Sequence, residues 1–67
     1  MNYIIIEAQT QNGTTAIVTP AVYSDRVEAE AVFLEKCAAA RRSGLACHAV
    51  SWLDQEGKLI AYKCFKA

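Results

Sequence analysis

Three features of the 67-residue chain predict a small α+β domain of order ββαββ, a four-stranded antiparallel sheet with one helix packed on one face. A Gln11-Asn12-Gly13 turn joins two β-rich runs, a single alanine-rich and charged segment follows, and two further apolar runs flank Asp54-Gln55-Glu56-Gly57. Short turns between neighbouring strands impose antiparallel pairing, and one amphipathic helix suffices to cover one face of the resulting sheet. The length admits a single domain over residues 1–67.

The first strand is read over Asn2 to Gln9, where Ile4, Ile5 and Ile6 are β-branched, and the second over Thr14 to Thr19. Asn-Gly between them is a hairpin signal because both residues tolerate positive φ. Pro20 cannot donate to a ladder and is expected at the end of strand two or on an edge. Ser24 or Asp25 offers an N-cap, Asp25 and Glu28 stand at capping-box spacing, and the helical composition runs to Ser43 before Gly44 stops it. Acidic residues in the first turn and Arg41 and Arg42 in the last suit the helix dipole. Leu45 to Leu53 and Lys58 to Lys66 make strands three and four.

Side-chain alternation sets the faces. Taking Ile4, Ile6 and Ala8 toward the helix sends Tyr3, Ile5 and Glu7 away. Strand three divides into Ala46, His48, Val50 and Trp52 against Cys47, Ala49, Ser51 and Leu53, and strand four into Ile60, Tyr62 and Cys64 against Leu59, Ala61, Lys63 and Phe65. No side is cleanly polar, so the sheet is expected to be covered on both faces. The helix carries two apolar stripes. Val27, Ala31, Leu34 and Ala38 form one and Ala29, Phe33, Cys37 and Ala40 the other; one stripe suffices for the core, and the second, with Ile5 of the sheet, is expected at an interface between copies of the chain, while core packing is the favoured role of the Phe33 ring.

Composition narrows the function. Seven basic residues balance seven acidic ones, which argues against a DNA or RNA binder and a polybasic membrane protein. The apolar runs are far shorter than the roughly 18 residues of a membrane span, and no secretory signal is visible, so a cytoplasmic protein without a membrane partner is expected. Yet 54% of the residues are hydrophobic, an excess for a chain that buries only roughly 60% of its unfolded surface. Homo-oligomerisation is the expected explanation, the alternative being the apolar surface that any small domain leaves exposed.

Cys47 and His48 invite a metal or nucleophile reading, but strand neighbours project to opposite faces, and with Cys37 and Cys64 they make no paired ligand spacing. Neither metal nor cofactor is expected. His48 as a general base needs an orienting carboxylate, with Glu7 and Asp54 available, and a nucleophile; the simpler expectation is a half-buried strand histidine beside Trp52. Phosphate loops, nucleophile elbows and zinc-protease signatures are missing, so an enzyme is not expected. Tyr3, Trp52 and Tyr62 are candidates for a binding face turned away from the helix, with His48 beside them. Arg41, Arg42 and Lys63 are candidates to grip a phosphate or carboxylate at a subunit junction.

Asn12-Gly13-Thr14 in the first turn, Tyr23-Ser24-Asp25-Arg26 entering the helix, and Ala29-Glu30-Ala31 and Ala38-Ala39-Ala40 within it form a recognisable set with His48 and Leu53-Asp54-Gln55-Glu56-Gly57. In these the chain resembles, over nearly its whole length, short uncharacterised proteins of phages and prophages of gut-type bacteria. The resemblance brings no catalytic residues and implies a context, since small phage accessory proteins are often inhibitors of host defence or of another host machine. The leading expectation is therefore a non-enzymatic, homo-oligomeric accessory protein in the host cytoplasm that inhibits a bacterial defence system by binding a host protein. An oligomeric sponge for a small anionic nucleotide is one alternative, with the arginines or Lys63 on phosphate and Trp52 or a tyrosine on the base. A purely structural oligomerisation module is the other.

Overall fold

A computed structural model describes all residues, Met1–Ala67, and contains one sheet and one helix in the predicted order: β1 (Tyr3–Gln11), β2 (Thr14–Tyr23), α1 (Arg26–Arg42), β3 (Cys47–Asp54) and β4 (Leu59–Lys66). All neighbours pair antiparallel in the spatial order β2-β1-β3-β4, so the two hairpins meet along β1 and β3.

Local chemistry explains each boundary. Asn12 and Gly13 both take positive φ, 53° and 78°, the pairing that a two-residue hairpin turn requires. β2 runs past Pro20 to Tyr23, further than the predicted end at Thr19. It can do so because the register steps from Ile5↔Ala21 to Glu7↔Val18, which places Thr19 and Pro20 in a bulge on an edge strand where the missing donor is not needed. The Asp25 carboxylate accepts from the Val27 amide at 3.2 Å and caps α1, while Ser43 closes it by donating its hydroxyl to the Ala40 carbonyl at 2.8 Å. Leu45 and Ala46 belong to the connection after Gly44, so β3 starts two residues later than predicted. In the second hairpin one Asp54 carboxylate oxygen accepts from the Glu56 and Lys58 amides at 2.9 and 3.0 Å, which fixes the turn and shifts the start of β4 to Leu59.

α1 lies across one face of the sheet, chiefly over β3. The core is Ile5, Val50 and Trp52 from the sheet and Ala29, Phe33 and Ala40 from the helix. This reverses both predicted parities. Ile5 is 2% exposed under the helix, so Tyr3, Ile5 and Glu7 form the covered side of β1 and Ile4, Ile6 and Ala8 the uncovered one. On the helix, Ala29, Phe33 and Ala40 are buried within the single chain, and Cys37 packs beside them, whereas Val27 is 75% and Leu34 58% exposed. Ile5, Ala29, Phe33 and Ala40 are therefore not an interface between copies. The physical reason is approach distance: alanines at the two ends of the stripe let the helix settle close to the sheet, and one large ring between them, Phe33, fills the gap against Trp52 at 5.9 Å between centroids.

Candidate functional site

Beneath the helix lies a chain of polar groups that is buried at Glu7 and His48 and reaches the surface at Lys36 and Ser43. His48 on β3 is 4% exposed and Glu7 on β1 9%, and they meet at 3.1 Å between Nε2 and Oε1. The other Glu7 oxygen accepts from the Lys36 ammonium of α1 at 2.8 Å, and His48 Nδ1 stands 3.1 Å from the Ser43 hydroxyl. Burial pushes the Glu7 carboxyl up, but the hydrogen bonds from Lys36 and His48 together outweigh it and hold the group below its ordinary value. Each of the four side chains has a polar partner within 3.1 Å, and the network ties the helix to both central strands with the buried Glu7 charge met by Lys36. A serine, a histidine and a carboxylate in series also outline a nucleophile relay. Ser43, however, is engaged as a helix cap: its hydroxyl donates to the Ala40 carbonyl, and its oxygen accepts from the Leu45 amide at 3.4 Å. A small depression of about 50 Å³ between the end of α1 and β4 is lined by Arg41, Leu45, Phe65 and Lys66 among others and does not include Ser43.

The uncovered face of the sheet has the opposite character. Pairing sets its side chains in rows across the strands: Val22, Ile4, Leu53 and Leu59; then Ile6, Ser51 and Tyr62; then Ile17, Ala8, Ala49 and Cys64; then Thr15, Thr10, Cys47 and Lys66. Lys66 at one corner is the only charged side chain in these rows. The ionisable groups Glu7, His48, Asp54 and Lys63 all take the parity of the helix side. An antiparallel sheet with one solvated face normally alternates the other way, apolar toward the core and polar toward water. Val22 and Leu59 at the two edges of the first row are 62% and 54% exposed, and Ile17 is 60% exposed.

The predicted binding residues do not converge. Trp52 is 3% exposed, its ring edge-on to Tyr3 at 6.2 Å and capped by the Arg26 guanidinium at 5.1 Å, so Trp52 and Tyr3 lie on the helix side and not on a binding face turned away from it. Pairing decides this, since Trp52 opposes Ile5 across β1. Tyr62 does lie on the uncovered face and is exposed. His48 is deeper than the half-buried position expected, and its partners are Glu7 and Ser43, not Trp52. Arg41 and Arg42 are exposed at the far end of α1, fifteen residues or about 22 Å of helix from the Arg26 turn that covers Trp52. Lys63 is exposed on β4 beside Cys37 of the helix. No single site in the chain therefore combines these cations with Trp52 as a stacking platform. Cys47 and His48 project to opposite faces, and no cluster of three metal-ligating side chains is present. Sequence reasoning missed Lys36 and Ser43; the signal available was Glu7, a carboxylate on an apolar strand that required partners.

No family model, curated protein or solved structure matches the chain. No helix is long and apolar enough to cross a membrane.

Proposed function

We propose that the chain is a non-catalytic binding protein that pairs with a second copy of itself through the uncovered face of its sheet, and that the pair inhibits a bacterial defence component by docking on it. The carrying observation is the uncovered face itself, apolar or uncharged across all four strands except at Lys66. Four strands of eight to ten residues offer roughly 500 Å² in projection, and more with side-chain relief, close to the roughly 800 Å² per partner of a standard interface. An uncharged patch matches a copy of itself without any charge having to find its opposite, which supports a second copy as the occupant. Pairing the sheets leaves both helices outside, with Val27, Ala31, Leu34 and Ala38 available to the host protein. The defence context comes from the likeness to phage and prophage accessory proteins.

Expression in bacteria that each carry one defence system tests this reading. The wild-type chain is expected to restore plating of a phage that one of those systems blocks, and Leu59→Lys, which places a charge on an already exposed position, is expected to abolish the rescue. Failure to relieve any system in a broad panel overturns the inhibitor reading, and rescue by Leu59→Lys equal to wild type overturns the role of the paired face.

A further inference from the structure

Cys47 on β3 and Cys64 on the edge strand β4 lie at one corner of the uncovered face, diagonal to one another in the register, with their sulfurs 3.2 Å apart. That is closer than two unbonded sulfurs ordinarily pack, and both thiols are reduced. Tyr62 precedes Cys64 by two residues on the same face, and Lys66 follows it by two. We propose that Cys47 and Cys64 form a dithiol–disulfide centre that reacts with small-molecule disulfides of the glutathione class.

In the first step the Cys64 thiolate attacks one sulfur of the small disulfide, forming a mixed disulfide and releasing one thiolate of the reagent. In the second, Cys47 gives up its proton to solvent and its sulfur attacks Cys64 Sγ, closing the intrachain bond and expelling the second thiolate. The chain loses two hydrogens and the reagent gains them, so the reagent is the oxidant and both electrons are accounted for. Closure brings the sulfurs from 3.2 Å to roughly 2.0 Å, which the register diagonal allows only if a strand gives. β4 is the strand able to move, because one of its edges is free and the helix barely touches it.

The division of labour follows the surroundings of each sulfur. Cys64 stands on the edge strand between Tyr62 and Lys66, and with Cys47 as the donor in the sulfur–sulfur contact that hydrogen bond lowers the Cys64 thiol against burial, Tyr62 and Lys66 acting in the same direction. The same hydrogen bond raises Cys47, which suits it to the resolving role. Cys37 on α1 has no thiol partner, and burial raises it against the pull of Lys63. The two cysteines stand at a corner of the face that sheet pairing would cover, so the reaction belongs to the unpaired chain, and Leu59→Lys, which keeps the chain single, is expected to oxidise at least as fast as wild type.

Incubation of the folded chain with oxidised glutathione, followed by tryptic mass mapping, is the test. Cleavage after Lys36, Arg42, Lys58, Lys63 and Lys66 puts the three cysteines on separate peptides. The expected product is a chain lighter by two hydrogens in which the Ser43–Lys58 peptide is bonded to Cys64–Lys66, with Cys37 still alkylatable. Cys47→Ser is expected to stop at a stable glutathione adduct on Cys64, Cys64→Ser to slow capture about tenfold or more, and Cys37→Ser to oxidise as wild type does. Circular dichroism of each variant separates loss of reactivity from loss of fold. Stable adducts on both cysteines of the folded wild type, a bond to Cys37, or equal rates for Cys64→Ser and wild type would each overturn the proposal.

Discussion

Trp52 is held by Phe33 beneath, Tyr3 at its edge and the Arg26 guanidinium over its outer face, and its indole N–H is the one buried side-chain polar atom without a partner. Trp52→Ala is expected to lower the unfolding free energy by about 3–5 kcal/mol, the range for deleting a core aromatic, as read by urea denaturation. Trp52→Phe keeps most of the packing and removes the unsatisfied donor, so its cost should be less than half as large. Glu7 yields a pH prediction with a definite sign. Its carboxyl is held below its ordinary value of about 4.5 in the folded chain, so its contribution is fully present above about pH 4.5 and is lost as the pH falls through the lower folded value. Glu7→Gln should flatten that acid limb of the stability profile and cost about 1–3 kcal/mol at neutral pH by leaving His48 and Lys36 poorly matched. A stability that fell with acid equally in wild type and Glu7→Gln would place the sensitivity elsewhere.

At the scale of the elements, the two helix stripes make opposite predictions. Ala29 is fully buried against the sheet, so Ala29→Leu should overpack the contact and cost about 1–3 kcal/mol, whereas Val27→Lys on the outer stripe should change stability by no more than about 0.5 kcal/mol. Thermal melts of the two variants check both. The order of elements was legible because Asn12-Gly13, Asp25, Gly44 and Gly57 each force a local conformation whatever the tertiary context. The choice of stripe was not, because both stripes are apolar and hydrophobicity ranks Val27 and Leu34 above Ala29 and Ala40. Close approach to a sheet rewards small residues with one large ring, a geometric demand that hydrophobicity does not measure. Ile4-Ile5-Ile6 likewise carries no parity. Glu7 does, because a carboxylate of the same parity as Ile5 needs partners, and His48, of matching parity with Trp52 on the facing strand, supplies one.

For the whole molecule, the distribution of charge is the fact that organises the rest. The covered side of the sheet holds a satisfied ionic network, while the uncovered side is uncharged apart from Lys66. The 54% hydrophobic composition exceeds what six buried apolar residues take up, and part of the remainder lies on that second face and on the outer stripe of the helix. Leu59→Lys should separate the copies while leaving the melting temperature of the monomer close to that of the wild-type monomer, since Leu59 is 54% exposed within one chain. Sedimentation equilibrium of the wild-type chain at micromolar concentration tests the pairing most directly. The paired-sheet account predicts a particle of twice the 7.3 kDa chain mass, and a particle of 7.3 kDa would contradict it.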